Sequence, residues 1–490
     1  MKDIKGKAKS GFLYKFAERA GAQGTSFVIS MILARLLLPE EYGIVAMVLV
    51  FISICDVFVA SGFGKSLIAN KNSDYLDFST CLWFSLGLSV VIYTLVWFSA
   101  PLIAAFYHES MLVPVVRVMA LRLPVTSLAC VQESYTSKNM LFRKFFFSTL
   151  TGTLASGVIS ITMAYMGCGI WALVAQNISR EVINALVLWI IVGWRPRAVF
   201  SFARLKKIYD FGWKILVIGL IDTIHSQLRN LIIGKRYTAE DLAFYSKGHQ
   251  FPHTGIMFIE PTISGVLFPA LSQVQDDKDQ MRDITRRITR VSSYVVFPVM
   301  LGLAAMAEPL IRVILTDKWL ESAVYLQITC LALLFRPLQF VNNSVIMASG
   351  NSALLLKLDI LKKAVSILLL GVSMFFGVIW VAWSLVGANL FAALVNIAPN
   401  RKILAYGYID QFGDVCRSLF MALVMGGCMR LILFAGLAGW QTLLLQAFCG
   451  VGIYMLLTRL FREDSLAYII KTLGDLARGK RTGREKGEEI

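Results

Sequence analysis

The sequence predicts an all-α polytopic membrane protein of about 14 transmembrane helices, or about 12 if short pairs merge. Hydrophobic residues make up 57% of the 490 residues and charged residues only 16%, which is more apolar than a soluble fold of this length. Apolar stretches of about 20 residues, long enough to cross a bilayer, follow one another from Gly11 almost to Leu460. Nearly the whole chain is therefore expected to lie in the membrane.

Each predicted span is an apolar run bounded by a short polar break. The runs lie near residues 11–37, 42–61, 80–106, 112–135, 147–167, 170–193, 208–233, 250–271, 288–315, 322–348, 358–379, 380–400, 413–436 and 440–460.

The distribution of basic residues predicts the orientation of these spans. Most of the 48 Lys and Arg residues fall in the segments that share a side with the two termini. The connections assigned to the opposite side hold only Lys235, Arg236, Lys247 and Lys318. Because basic residues concentrate in cytoplasmic loops, both termini are predicted to be cytoplasmic. This topology also accounts for the net charge of +17, so no nucleic-acid partner is expected.

Weak internal repeats predict two parallel lobes of six helices followed by two C-terminal helices. Three motifs recur in the second half: Arg35 with Pro39-Glu40-Glu41 as Lys235 with Ala239-Glu240-Asp241, Ile170-Trp171 as Ile379-Trp380, and Arg122-Leu123-Pro124 as Arg336-Pro337. The predicted divisions are an N-terminal lobe (1–193), a cytoplasmic basic linker (194–207), a C-terminal lobe (208–400), two further transmembrane helices (401–460), and an amphipathic helix with a cytoplasmic tail (461–490).

The sequence lacks the usual signatures of catalysis and cofactor binding. The eight cysteines show no C-x-x-C spacing, and the four histidines have no partners at metal-ligand spacing, so no metal site is predicted. Gly64-Lys65-Ser66 resembles the end of a P-loop, but Val59 stands where that motif requires glycine. No predicted outer loop is long enough to fold as a catalytic domain. We therefore expect no cofactor and no enzymatic activity.

Basic residues inside the spans are the candidate site. Arg122, Arg180 and Arg336 lie deep, and a charge facing lipid there costs roughly 2.5 to 3.5 kcal/mol, which favours a wet cavity over structural ion pairing. Bases near span ends are expected to reach the headgroups instead.

A polar stripe on the seventh span is the richest feature. Lys214, Asp222, His225 and Arg229 fall close to one helical face, and the first span has a matching stripe that includes Arg19 and Gln23. Positive charge on facing helices suits an anionic ligand such as a diphosphate. The alternative is that Asp222 and Arg229 pair with neighbours and hold the bundle together. The predicted substrate-binding residues are Arg19, Gln23, Arg122, Arg180, Lys214, Arg229 and Arg336, and the predicted ion-coupling pair is Asp222 and His225.

Three sequence segments resemble the polysaccharide flippases, most closely the colanic acid and teichuronic acid exporter branch. They are ILARLLLPEEYGIVAM (32–47), GFGKSLI (62–68) and GIWALVAQ (169–176). The resemblance implies the multidrug, oligosaccharidyl-lipid and polysaccharide exporter superfamily, with two six-helix lobes and alternating access. It further implies a place in the cytoplasmic (inner) membrane of a bacterium and contact with membrane lipids. The implied cargo is an undecaprenyl-diphosphate-linked oligosaccharide, with transport coupled to a proton or sodium gradient. A polysaccharide polymerase and chain-length machinery are the candidate protein partners.

Three other functions remain open from the sequence. A drug or cation exporter of the same superfamily would favour an acidic or aromatic cavity rather than an arginine-rich one. A membrane glycosyltransferase or polymerase would need a large outer loop with catalytic acids. A structural scaffold fits the absence of motifs but leaves the deep arginines unexplained.

Overall fold

A computed structural model describes residues 21–61, 63–70, 73–468 and 470, without the side chains of residues 61, 63, 65 and 211. Within these ranges the chain is helical and contains no strands. Arg19, the N-terminal part of the first span and the tail from 471 onward lie outside the described residues.

Eighteen helices are numbered in chain order, and α1 is helical over its described residues 21–36. The others are α2 (Pro39–Asp56), α3 (Phe63–Ala69), α4 (Tyr75–Tyr107), α5 (Leu112–Met119), α6 (Arg122–Lys138), α7 (Phe142–Tyr165), α8 (Ile170–Ile191), α9 (Phe202–Arg236), α10 (Ala239–Gln273), α11 (Lys278–Ala305), α12 (Ala307–Ile314), α13 (Ser322–Leu333), α14 (Arg336–Ala348), α15 (Ser352–Ser373), α16 (Val378–Leu404), α17 (Tyr408–Leu431) and α18 (Gly439–Leu460).

The predicted all-α membrane fold is confirmed. In the described part of the chain, 12 helical segments are long and apolar enough to cross a membrane. Helices α1 and α15 occupy the two remaining predicted spans. The charges of α15 are partly neutralised within the fold, because Lys362 Nζ lies 2.6 Å from Asp359 Oδ1. The same Nζ donates a hydrogen bond to Asn396 Oδ1 on α16 at 3.1 Å.

The start of the eighth span was predicted too late. The predicted boundary was residue 250, but α10 begins at Ala239, and Lys247, expected in an outer loop, is a buried helical residue whose Nζ lies 5.8 Å from the Trp319 ring centroid. Thr238 and Asp241 start the helix: each backbone N–H donates to the other's side chain, both at 3.1 Å. Hydropathy misses the polar first turns that such a cap stabilises.

The ninth span likewise begins ten residues before its predicted start at 288. Asp277 caps α11 by accepting hydrogen bonds from the backbone N–H groups of Asp279 and Gln280, at 3.1 and 3.0 Å. The first turns of α11 are rich in arginine, so they lie outside the apolar run that hydropathy detects. The predicted end at 315 belongs to the separate helix α12.

The chain forms two compact units, Met1–Ser246 and Lys247–Ile490, divided within α10. In the first unit, α9 packs against α2, α3 and α4. The segment between α8 and α9 lies along α4 and α6: Trp83 Nε1 donates to the Arg197 carbonyl at 2.9 Å, and Gln132 Nε2 donates to the Trp194 carbonyl at 3.2 Å. The boundaries of the two sequence-based lobes and their linker stay a prediction.

The sequence repeats correspond to repeated local geometry. Glu41, the third residue of α2, accepts a hydrogen bond from the Leu38 backbone N–H at 2.8 Å, as Asp241 of α10 does from Thr238. Glycines with positive φ precede α8 and α16, namely Gly169 (φ 56°) and Gly377 (φ 118°). Both positions require a backbone conformation that side-chain-bearing residues rarely adopt.

Candidate functional site

The fourth and tenth spans are each broken immediately before a deep arginine. Helix α5 ends at Met119 and α6 begins at Arg122; α13 ends at Leu333 and α14 begins at Arg336. Proline follows within the first turn of the second segment in both cases. Since the first turn leaves its backbone N–H groups unpaired anyway, proline is tolerated there and favours a new helix start. The interruptions thus place both guanidiniums at the start of a helical segment.

In the first unit, Arg122 forms ion pairs with carboxylates on two other helices. Its Nη2 lies 3.0 Å from Asp56 Oδ2 at the end of α2 and 3.7 Å from Glu181 Oε1 on α8. The Arg122 side chain is only 11% exposed. Arg180 Nη2 contacts the same Glu181 oxygen at 3.2 Å, with 42% of its own side chain exposed. Two of the three predicted deep arginines therefore meet at one carboxylate.

Part of this cluster has unused hydrogen-bonding capacity. Arg122 Nε and Asp56 Oδ1 are buried and have no hydrogen-bond partner among the described residues. A π-helical turn, Val57–Ser61, follows Asp56 directly. Such turns are frequent at functional sites because they disturb the regular backbone ladder. Arg122 and Asp56 thus lie at a local break in both helices that they connect.

In the second unit, Arg336 forms the corresponding pair. Its Nε lies 3.1 Å from Glu260 Oε2 on α10, and its Nη2 contacts the same oxygen. Pro261 interrupts the α10 hydrogen-bond ladder directly after Glu260. Two turns earlier on α10, the rings of His249 and His253 stack with centroids 5.3 Å apart. About a third of the Arg336 side chain is exposed, so it is less enclosed than Arg122.

The two pairs occupy equivalent places in the repeat. In each half, the acidic residue lies at a distorted turn of the second span. Its partner is the arginine that follows the break in the fourth span. Pairing offsets the cost of placing each charge in the membrane. The sequence interpretation favoured cavity lining over ion pairing; the structure shows ion pairs, and the role of these arginines toward a substrate stays a prediction.

The polar stripe on α9 is graded in exposure. Lys214 and Asp222 are exposed, His225 is half-buried, and Arg229 is buried. Gln23 is exposed on α1, and Arg19 lies outside the described residues. The structure thus places the stripe on a helix of the first unit, and its proposed contacts with a substrate or an ion stay predictions.

The sequence analysis did not predict the acidic partners of these arginines. Asp56, Glu181 and Glu260 all lie inside apolar spans, where a carboxylate is as costly as a guanidinium. Counting intramembrane acids together with intramembrane bases would have identified them as candidates. Which acid meets which base depends on helix packing and has no local sequence signal.

The segments that resemble the flippase signature contact each other. A Cβ on Gly43 of α2 would overlap the Ala239 carbonyl at the start of α10, and a Cβ on Gly169 would overlap the Glu41 carboxylate. Tyr42 also donates its hydroxyl to the Ser30 carbonyl at 3.3 Å. The signature residues therefore permit close helix approach around the start of α2.

The chain has the all-helical fold of solved MurJ and MATE transporters. The structure is similar to the lipid II flippase MurJ in an inward closed conformation, with a TM-score of 0.73 at 14% identity, covering 93% of this chain and 100% of that one. It is also similar to an inward-facing multidrug resistance MATE family transporter, with a TM-score of 0.62 at 14% identity, covering 78% of this chain and 94% of the other. Both similarities confirm the predicted transporter fold.

The family model "Polysaccharide biosynthesis protein" matches residues 32–324, and the chain belongs to this family. It is 25% identical to the teichuronic acid biosynthesis protein TuaB of Bacillus subtilis (strain 168), over 77% of this chain and 78% of that protein. It is 24% identical to the lipopolysaccharide biosynthesis protein WzxC of Escherichia coli (strain K12), over 69% of each.

Proposed function

We propose that this multi-pass membrane protein moves an undecaprenyl-diphosphate-linked oligosaccharide from the inner to the outer leaflet of the bacterial cytoplasmic membrane. The observation that supports it most is the arginine that follows a broken span in both halves of a chain belonging to a polysaccharide biosynthesis family. A lipid-linked repeat unit combines a long apolar tail with a charged diphosphate, and the protein must offer both chemistries within the membrane.

The ion pairs suggest how arginine and cargo interact. A guanidinium that rests on a carboxylate can exchange that partner for a phosphate without being left unpaired in a medium of low dielectric constant. Broken helices allow such an exchange because short segments move more easily than an uninterrupted span. Alternating access then requires that the arginine hold the diphosphate during crossing and return to its carboxylate afterwards.

Deletion of the gene followed by lipid analysis tests this function. The expected result is loss of the surface polymer and accumulation of a lipid-linked oligosaccharide on the inner leaflet, both reversed by the intact gene. A strain that still exports polymer, or one that accumulates no lipid-linked intermediate, would contradict the proposal. Increased sensitivity to cationic drugs without a polymer defect would favour the drug or cation exporter instead.

We further propose that Asp222 and His225 couple transport to an ion gradient. They lie three residues apart on α9, and histidine is the side chain whose ordinary pKa lies nearest physiological pH. In proteoliposomes, Asp222→Asn and His225→Ala should remove the dependence of transport on an imposed pH gradient while cargo binding survives. Ser226→Ala, at an exposed position on the same helix whose hydroxyl bonds, among the described residues, only to the Thr223 carbonyl, is the control. Full gradient dependence in both variants would place the coupling site elsewhere.

A further inference from the structure

Two arginines on α11 share one buried carboxylate on α17, apart from the residues discussed so far. Arg286 Nε donates to Asp414 Oδ2 at 2.7 Å. Arg290 Nε donates to Asp414 Oδ1 at 2.9 Å, and its Nη2 contacts the same oxygen. The Asp414 side chain is 2% exposed, whereas both arginine side chains are 45% exposed. We call these three residues the arginine fork.

The carboxylate of the fork is fixed from a third direction. Tyr406, which lies between α16 and α17, donates its hydroxyl to Asp414 Oδ2 at 2.9 Å. Burial and the adjacent carboxylate raise the pKa of Tyr406, so its hydroxyl remains a donor at physiological pH. With Tyr406 and both arginines in place, Asp414 has little freedom to turn, and the two guanidiniums are held in a defined orientation.

The charges of the fork do not balance. Within the fork, Asp414 supplies one negative charge and the arginines supply two positive charges, although a single arginine would satisfy a structural ion pair. Asp410, one turn earlier on α17, is a second carboxylate close enough to act electrostatically on Arg286. Among the described residues, the Nη groups of Arg286 and Nη1 of Arg290 make no hydrogen bond to the protein. Half-exposed, oriented N–H donors on guanidinium groups are what an anion with several oxygens requires.

The position of the fork indicates which class of anion it could bind. The apolar part of α11 begins at Val291, directly after Arg290, so the fork lies at the end of the membrane-crossing part of this helix. With both termini cytoplasmic, that end faces the inner leaflet, where lipid phosphates occur. Arginines that only set the orientation of a helix in the membrane do not need a buried carboxylate to hold their side chains in place.

We propose that Arg286 and Arg290 bind the phosphate groups of an inner-leaflet lipid, with Asp414 as the positioning residue. The shared chemistry is a phosphate ester, supplied either by the diphosphate of a polyprenyl carrier or by the phosphodiester of a bulk anionic lipid. The assignment of the fork to the inner leaflet rests on the orientation that the proposed function assumes. Lipid binding by the purified protein requires no export, so a failure of the binding proposal can be distinguished from a failure of the proposed function.

Native mass spectrometry of the purified full-length protein tests the fork. Undecaprenyl diphosphate, phosphatidylglycerol and phosphate-free undecaprenol are added separately at equal concentration. Arg286→Gln and Arg290→Gln each leave Asp414 with one arginine, so the buried charge stays paired. Each should weaken binding of a phosphate lipid by about tenfold, the usual effect of losing one charge-assisted hydrogen bond. Undecaprenol binding should not change.

Arg287→Gln is the matched control, because Arg287 neighbours the fork on α11 but lies over the Tyr468 ring at 5.4 Å. Selective loss of undecaprenyl diphosphate identifies the carrier as the ligand, and equal loss of both phosphate lipids identifies bulk anionic lipid. Asp414→Asn should also weaken binding, although both arginines remain. Wild-type binding in both single arginine variants would overturn the proposal, as would an equal loss in Arg287→Gln.

Discussion

Arg336 and Glu260 form an ion pair for which we propose both a structural role and a role toward the substrate. Removing one partner leaves the other charge partly desolvated, which is destabilising. Exchanging the carboxylate for a phosphate keeps the guanidinium paired and leaves the quarter-exposed Glu260 carboxylate to be solvated by water. The sequence identified the arginine because its charge conflicts with its apolar surroundings. It did not identify Glu260 as the partner, because the two residues are distant in sequence and meet only through packing of α10 against α14.

Substitutions at this pair separate a substrate role from a structural one. Arg336→Ala should abolish polymer export while the protein still inserts, and Arg336→Lys should restore part of it because charge is retained. Glu260→Gln keeps the guanidinium and offers it a neutral amide oxygen in place of the carboxylate, so export should fall less than in Arg336→Ala. The measurement is surface polymer in a complemented deletion strain, with protein quantified in membranes. We expect Arg122→Ala and Arg180→Ala to abolish export as well.

The control for these variants is Arg312→Ala. Arg312 pairs with Asp317 at 2.8 Å, but both side chains are more than half exposed, so this pair contributes little. Export should be unchanged. Equal loss of export in Arg336→Ala and Glu260→Gln would leave the pair with a structural role only, and wild-type export in Arg336→Ala would exclude a role in cargo handling.

At the scale of helices, hydropathy did not show two features: where a span is interrupted, and where two helices approach each other closely. The sequence predicts the fourth and tenth spans as single segments, yet each is two helices separated by two residues. The close contact between the starts of α2 and α10 likewise depends on one glycine whose neighbour is about 200 residues away. Both features arise where the chain packs against itself.

Replacing Gly43 by alanine tests that contact. The added Cβ would overlap the Ala239 carbonyl, a backbone atom that cannot move alone, so α2 and α10 must shift apart. We expect a destabilisation of about 1 to 3 kcal/mol, the usual cost of overpacking, measured by thermal unfolding in detergent. Gly87→Ala in α4 is the control, since no atom lies within 4 Å of its added Cβ. Equal melting temperatures for wild type and Gly43→Ala would show that the contact is loose.

At the scale of the whole molecule, the arrangement of spans makes a direct prediction about orientation. With an even number of spans and basic residues concentrated on one side, both termini should be cytoplasmic. A fluorescent protein fused after Ile490 should therefore be bright, and an alkaline phosphatase fused at the same position should be inactive. The reverse pattern from a well-expressed chain would overturn the topology and with it the inner-leaflet position of the arginine fork.

The sequence by itself determined the membrane class, the order of the spans, the internal repeat and the arginines inside the bilayer. These properties follow from hydropathy and charge, which are local and additive along the chain. The tertiary structure decided the partners of those arginines, the breaks beside Arg122 and Arg336, and the shared carboxylate of Arg286 and Arg290. They depend on which helices pack together, because a buried charge is stabilised by whatever lies within a few ångströms rather than by its neighbours in sequence.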